Sequence, residues 1–357
     1  MAAAAAARAA DSMKEAEKAM KTSMFKWKPD LELAAQMYEK AGRDFKIAKD
    51  NEKSLDAYVK AGKAYKDWGM SNFSAAKAFE AAAFVSFDIK AFDDFKTHVS
   101  NAAVLYRLDG KADNACTLQE RAAKAAEKAK RYADAMTLFM EVIELRDDGD
   151  QRRQMKKPLE KAVANAVRCK DFKTALQLLD RDFMLYTTLK DEAMTHRNWL
   201  CRMIVQLAAG NFAAADQLYE EAITSSFATS EEQFLADRML NAYDAADQEE
   251  LSTVTKEQHF KFLSNEMALL ARSLEAKGGN GRALRQAEEL QVKIDAVVVD
   301  TPAAAPAAPA AAPAAAPAPP AAEPEGADDA PEAAAPEETA AAPAAPAEED
   351  DEIDDLL

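Results

Sequence analysis

The chain has 357 residues and a formal net charge of −17 at pH 7, with three cysteines and 14 prolines. Fourteen acidic residues and 12 of the prolines lie in residues 301–357, which contain no Lys or Arg, so the first 300 residues carry a net charge of only −3. Scattered single cysteines and the lack of a basic, aromatic-rich surface argue against a disulfide framework and against nucleic-acid binding, and we expect reduced thiols in a cytosolic chain.

The N-terminal region begins with an alanine-rich stretch. Residues 1–10 are predicted to be disordered, and they contain no apolar core strong enough for a signal peptide. A short, lysine-bearing helix is expected from Asp11 to Lys21. The phrase Met24-Phe25-Lys26-Trp27-Lys28-Pro29-Asp30 follows, and Pro29 is expected to lie at the start of the next helix.

Residues 11–230 are predicted to form a repeat array of helices. The phrase Tyr38-Glu-Lys-Ala-Gly-Arg-Asp-Phe-Lys46 recurs twenty residues later as Tyr58-Val-Lys-Ala-Gly-Lys-Ala-Tyr-Lys66. Apolar residues in both copies fall at helical spacing, and Gly and Pro are rare. A unit of this length cannot bury its own apolar face, so successive units are expected to stack as a solenoid.

A second spacing indicates that two such units form a hairpin. An aromatic residue is followed three positions later by alanine in four places, the last three of which are forty residues apart: Phe73/Ala76, Tyr132/Ala135, Phe172/Ala175 and Phe212/Ala215. Turns are predicted where Gly, Asn or Asp cluster, as at Gly69, Gly110 and Gly210. The expected fold class is all-α, a tetratricopeptide-like solenoid of antiparallel helix hairpins.

The repeat fades beyond residue 230. Segments 231–246, 255–276 and 282–297 keep helical periodicity, so residues 231–300 are predicted to be a C-terminal helical bundle that caps the array. Residues 301–357 consist mainly of Ala, Pro and acidic residues, a composition typical of a disordered tail.

No pattern indicates catalysis. The sequence has no P-loop, no HExxH and no Ser or Cys nucleophile motif, and its three histidines stand alone. We therefore expect no catalytic, cofactor-binding or metal-binding residues and no small-molecule substrate. The alternative is an enzyme, a hydrolase whose active site is not recognisable from the sequence.

The first candidate interaction site is the loop formed by Met24, Phe25, Lys26 and Trp27. Exposed apolar residues near Lys14, Lys18, Lys21 and Lys28 suit an anionic membrane surface. The alternative is that Phe25 and Trp27 staple the first two helices together.

Two further segments are candidates. A basic cluster suits an acidic helical bundle, with a plain solvated helix face as the alternative: Arg152, Arg153, Lys156, Lys157 and Lys161. The terminal run Glu348–Leu357 places Leu356 and Leu357 among acids, a pattern typical of a docking peptide for a basic partner. The alternative there is a solubilising acidic tail.

In the segment Lys21-Thr-Ser-Met-Phe-Lys-Trp-Lys-Pro-Asp30 and the Ala-Ala-x-x-Tyr-x-Lys-Ala repeat after it, the chain resembles the gamma form of the soluble NSF attachment proteins. The resemblance covers roughly residues 11–275. It implies a twisted sheet of antiparallel helices closed by a C-terminal bundle. It also implies an adaptor that binds assembled SNARE complexes, which are syntaxin-type helical bundles, and recruits and stimulates the hexameric ATPase NSF for SNARE disassembly in vesicle trafficking.

The resemblance further implies three contact regions and a cytoplasmic protein peripherally associated with membranes. Met24 and Phe25 occupy the position of the family's membrane-contacting loop, and Lys157 and Lys161 lie near its SNARE-binding basic face. The nearest equivalents of its ATPase-contacting residues are Asp244, Asp247, Glu249, Glu250 and Leu356. An alternative function is a helical-repeat scaffold that binds peptides, or a co-chaperone of another pathway.

Overall fold

The structure is a computed structural model that describes residues 1–22, 27–278 and 281–282, and every regular element within those ranges is helical. Fourteen α-helices lie in this part of the chain: α1 (Ala2–Met20), α2 (Leu31–Ile47), α3 (Asn51–Trp68), α4 (Asn72–Asp88), α5 (Phe92–Leu108), α6 (Ala112–Lys128), α7 (Tyr132–Asp148), α8 (Lys156–Arg168), α9 (Phe172–Leu189), α10 (Glu192–Ala208), α11 (Phe212–Ala222), α12 (Glu231–Asp244), α13 (Gln248–Val254) and α14 (Asn265–Arg272). Short 3₁₀ helices lie at Arg152–Met155, Ser226–Thr229 and Gln258–Phe262. The all-α prediction is confirmed.

Left-handed residues mark the turns between helices with a regular period. Nine residues have φ between 53° and 78° and follow one another at intervals of 20 or 21 positions: Lys49, Gly69, Lys90, Gly110, Lys130, Asp150, Lys170, Lys190 and Gly210. The next N–H typically closes the helix end, as where Lys111 donates to the Tyr106 carbonyl at 2.9 Å. This arrangement is a Schellman-type C-cap. The twenty-residue repeat is therefore one helix plus one short capped turn.

Consecutive helices pack antiparallel. Ser54 of α3 donates its hydroxyl to the Gly42 carbonyl of α2 at 2.8 Å, and further along the same pair Tyr65 donates to Glu39 at 2.9 Å. Alternate helices are also bridged, because Arg121 of α6 lies 2.6 Å from Glu80 of α4. These two kinds of contact, to the next helix and to the one after it, make the array continuous.

The paired aromatic and alanine residues lie where their spacing predicts. Phe73 is the second residue of α4, and Tyr132, Phe172 and Phe212 begin α7, α9 and α11. The alanines three residues later are fully buried: Ala76, Ala135, Ala175 and Ala215. A small side chain there lets two helices approach closely, and Ala76, Ala175 and Ala215 belong to the principal hydrophobic core.

The prediction that residues 1–10 are disordered is wrong. The α1 helix starts at Ala2, and Ala5 and Ala9 are completely buried. Arg8 also pairs with Asp44 of α2 at 3.2 Å. Alanine has the highest helix propensity of the amino acids, and here its small side chain also packs against α2, so the alanine-rich start extends the first helix.

The C-terminal prediction is partly wrong. The segment 231–246 forms α12, but 255–276 is not one helix, because Leu263 and Ser264 have ψ of 163° and 150° and interrupt it. Ser264 then caps α14 by accepting the Met267 N–H at 3.3 Å. An ion pair between Arg168 of α8 and Glu266 of α14 joins this region to the array. The segment 282–297, apart from Arg282, and the tail 301–357 lie outside the described residues.

Candidate interaction surfaces

The loop between α1 and α2 is anchored at its base. The Asp30 N–H donates to the Ala19 carbonyl at 3.0 Å, and the Asp30 carboxylate caps α2 by accepting the Leu33 N–H at 3.1 Å. Residues 23–26, which include Met24, Phe25 and Lys26, lie outside the described residues. The Trp27 side chain is 88% exposed, so it does not serve as a buried staple between the two helices.

Basic residues lie around the base of this loop, as the sequence predicts. The side chains of Lys14, Lys18, Lys21 and Lys28 are all exposed. Within the described residues, none of these four forms an ion pair. Their charges are therefore presented to solvent beside the exposed indole of Trp27, which is the combination that an anionic bilayer attracts.

Two further exposed apolar residues lie at the same edge of the array, and the sequence did not single them out. Met70 in the α3–α4 turn is 76% exposed, and Leu108 at the end of α5 is 68% exposed. The two turns are adjacent, because Lys111 lies 3.9 Å from the centre of the Phe73 ring. The sequence could have located them, because turns that alternate between two edges place the α1–α2, α3–α4 and α5–α6 turns on the same edge.

The basic cluster lies around the start of α8, and its members differ in availability. Arg152, Arg153, Lys157 and Lys161 are exposed. Lys156 is half-buried and pairs with Asp191 at 2.9 Å, a contact that joins α8 to α10 and lowers the pKa of the Asp191 carboxyl. Lys157 and Lys161 are one helical turn apart and present their charges together.

The acidic residues near the end of α12 also separate into two groups. Asp244 is buried and accepts the Arg282 backbone N–H at 2.7 Å, so its carboxylate does not face solvent. Glu250 is half-buried and pairs with Arg238 at 2.6 Å. Asp247 caps α13 by accepting the Glu250 N–H at 2.9 Å and remains exposed, as does Glu249. Leu356 and Leu357 lie outside the described residues.

Arg282 is a buried residue whose role the sequence did not reveal. Its guanidinium is 2% exposed, pairs with Asp216 of α11, and pairs with Asp237 of α12 at 2.7 Å. It also donates to the Asn241 side chain at 2.9 Å and stacks over the Tyr219 ring at 4.4 Å. Such contacts tie Arg282 to α11 and α12.

A cavity of about 170 Å³ lies between α8, α9 and α10 and the 3₁₀ segment before α14. Asp182 lines it and accepts a hydrogen bond from Asn198 at 3.2 Å. Burial raises the pKa of Asp182 to about 7. The cavity is small, and the described residues contain no cluster of His, Cys, Asp and Glu arranged to hold a metal ion.

Comparison with known proteins places these surfaces in context. A family model described as soluble NSF attachment protein, SNAP, matches residues 7–264. A gamma-soluble NSF attachment protein of Dictyostelium discoideum is 24% identical over 263 residues, which cover 73% of this chain and 81% of that protein. The protein of the same name from Arabidopsis thaliana is 27% identical over 264 residues, covering 73% of this chain and 90% of that protein.

Among solved structures, the aspartyl phosphate phosphatase F of Bacillus subtilis matches with a TM-score of 0.31 and 12% identity. The match covers 76% of this chain and 71% of that chain. In the part of the chain that the structure describes, no helix is both long and apolar enough to cross a membrane.

Proposed function

We propose that this chain, which belongs to the soluble NSF attachment protein family, is an adaptor that binds assembled SNARE complexes and recruits and stimulates NSF for their disassembly. The observation that carries the proposal is the family match, which runs from residue 7 to residue 264 and so includes most of α1 and all of α2 to α13. The two gamma-form relatives support the same role through their names alone.

The architecture suits an adaptor that transmits force. Each helix from α1 to α12 contacts the next, and ion pairs such as Glu80–Arg121 and Glu127–Arg168 connect alternate helices. One continuous hydrophobic core runs from Ala16 to Leu274. A load applied at the C-terminal helices is then carried through packed side chains, which resist deformation.

In this proposal, different exposed charged residues contact the SNARE bundle and NSF. Lys157 and Lys161 contact the acidic SNARE bundle, with Arg152 and Arg153 beside them. Asp247 and Glu249 contact NSF, together with Leu356 and Leu357. Lys156, Asp244 and Glu250 act inside the fold, since each is buried or half-buried against a partner within the chain.

The loop of residues 21–30 contacts the membrane peripherally in this proposal. Exposed lysines supply attraction to anionic lipid at about 1 kcal/mol for each residue near the surface. Trp27 and the neighbouring Met24 and Phe25 add apolar contact. The adaptor would thereby be held beside membrane-anchored SNARE complexes.

The deciding experiment measures ATP hydrolysis by NSF with and without an assembled SNARE bundle, in the presence and absence of this protein. The expected result is a ternary complex in a pull-down, together with SNARE disassembly that requires all three components. Failure of the ternary complex to form would contradict the proposal. Binding of extended peptides without any requirement for NSF would favour the alternative of a peptide-binding repeat scaffold.

A further inference from the structure

Four lysines occupy the same unusual backbone position in successive hairpins. Lys49, Lys90, Lys130 and Lys170 have φ of 62°, 63°, 59° and 57°. Each is the left-handed residue that ends a helix: α2, α4, α6 and α8, respectively. All four side chains are exposed.

The four lysines lie along one edge of the array. Because consecutive helices are antiparallel, every second turn falls on the same edge, and the turns after α2, α4, α6 and α8 are such a set. On the other edge, the corresponding position is held by Gly69, Gly110, Asp150 and Lys190. The next turn on the first edge, after α10, has Gly210 at this position. Lysine therefore holds four of five such positions on the first edge up to α10, and we call it the lysine edge.

The charges of these lysines are not used within the described part of the fold, where none of the four forms an ion pair. Asp88 and Asp94, near Lys90, are exposed and form no ion pair within the described residues, whereas acidic residues near the other three turns have partners elsewhere. Asp50 pairs with Lys53 at 2.6 Å and Asp134 pairs with Lys96 at 3.0 Å. Asp171 caps α9 by accepting the Thr174 N–H at 3.1 Å.

The lysines of this edge have a strained backbone, as do Asp150 and Lys190 on the other edge. A residue with a Cβ atom is disfavoured in the left-handed conformation, and glycine adopts it without that penalty. The chain does use glycine in this position at Gly69 and Gly110. Lysine at four successive turns of one edge therefore costs folding stability, while it contributes a regular row of charge.

The spacing of the four lysines indicates the shape of the partner that can contact all of them. Packed helices lie about 8–10 Å apart, so lysines on alternate helices are separated by at least that distance and the row extends over at least about 30 Å. An α-helix of about 20 residues spans that length. A rigid helical rod can meet all four charges without the ordering cost that a flexible acidic peptide pays.

A membrane is disfavoured as the occupant. The loop of residues 21–30 precedes α2 and Lys49 follows it, so the two lie at opposite ends of a 17-residue helix. Such a helix is about 25 Å long. A membrane that contacts the loop is on the other side of the array from the lysine edge.

We propose that the lysine edge is an electrostatic docking surface for an elongated, acidic α-helical bundle. This inference rests on the proposed function, because it adds a specific surface for the SNARE complex. The surface is separate from the cluster at the start of α8, which lies at the opposite edge.

The test replaces Lys49, Lys90, Lys130 and Lys170 by glycine in the full-length chain. Binding to an assembled SNARE bundle is measured over a series of salt concentrations, beside binding to a designed acidic coiled coil and to phosphatidylserine-containing vesicles. The expected result is about tenfold weaker binding to both helical probes and a shallower salt dependence, since four exposed charge contacts are lost. The melting temperature is expected to stay the same or to rise.

The matched control replaces the same four lysines by arginine, which retains both the charge and the strained backbone, and should bind like the unmodified chain. If glycine leaves binding to the SNARE bundle unchanged while the unmodified chain binds it, the inference is overturned and the proposed function stands. If the unmodified chain ignores the SNARE bundle, the proposed function fails, and the designed coiled coil then decides the inference. A loss confined to vesicle binding, or a lower melting temperature of the glycine variant, also counts against it.

Discussion

The Tyr58 ring lies directly on the backbone of Gly42, so close that a Cβ atom added to this glycine would be 2.9 Å from three ring carbons. Gly62, twenty residues later, meets the Phe79 ring in the same way at 2.8 Å. The glycines of the repeated phrase thus leave space for an aromatic ring from the next helix. The repeat encodes a helix-to-helix contact as well as a helix.

Replacing Gly42 by alanine should therefore destabilise the protein. Crowding the Tyr58 ring costs about 1–3 kcal/mol, and the better helix propensity of alanine returns about 1 kcal/mol. We expect the free energy of unfolding to fall by about 1 kcal/mol, measured by urea denaturation. Gly149→Ala is the control, because Gly149 has φ of −85° and the nearest atom to an added Cβ is 3.4 Å away. Equal stability of both variants would contradict the close packing.

The contacts of Arg282 lead to a second prediction. Replacing Arg282 by leucine deprives Asp216 and Asp237 of their ion pair, and breaking such a buried pair costs about 3–5 kcal/mol. The expected result is faster amide hydrogen exchange in α11 and α12, with exchange in α4 and α5 unchanged. Arg272→Leu is the control, since Arg272 is exposed. Unchanged exchange in α11 and α12 would show that Arg282 is not needed to hold them.

The helical array was predictable from the sequence because its period is local. Apolar spacing predicts the helices, and the Gly, Asn and Asp residues predict the turns near Asp50, Gly69, Gly110, Asp150, Asp171 and Gly210. The turns at Lys90, Lys130 and Lys190 were not predicted, because lysine is not a residue that favours left-handed backbone. Their regular position appears only once the backbone angles are known.

The candidate sites were less predictable, because their members meet through long-range contacts. Arg282 and Asp216 are 66 positions apart, and nothing in either local segment indicates that they pair. Asp244 lies in an acidic run that suggests exposure, yet the fold buries it beside the Arg282 backbone. Charge patterns alone do not distinguish a carboxylate that contacts another protein from one that forms a buried contact within the chain.

Asp182 should make stability depend on pH in the direction opposite to that of most acids. Its folded pKa of about 7 lies above the ordinary value of 3.8 for this side chain, so the folded chain binds the proton more tightly than the unfolded chain. The folded state therefore gains stability as pH falls from about 7 toward 4 and loses it as pH rises again. The cause is burial of the carboxyl beside the cavity.

The Asp182→Asn variant isolates this effect from the many other carboxyl groups. It should be more stable than the unmodified chain at pH 8 by about 2–4 kcal/mol, and the difference should shrink toward zero near pH 4. Thermal unfolding at several pH values measures it. Asp180→Asn is the control, because Asp180 is on the same helix with a largely exposed side chain. A difference that is constant with pH would contradict the raised pKa.

If the loop of residues 21–30 contacts the membrane, its apolar side chains should matter only when the SNARE complexes are on liposomes. Replacing Met24 and Phe25 by serine, or Trp27 by serine, should weaken SNARE disassembly on liposomes by roughly tenfold, because large apolar side chains no longer enter the bilayer surface. Disassembly of soluble SNARE complexes should be unchanged. The control is Ile47→Ser: this side chain is 60% exposed but lies at the opposite end of α2, so both activities should remain. If the loop variants match the control on liposomes, the membrane contact is contradicted. A loss of similar size with soluble complexes would instead indicate that the loop contacts protein.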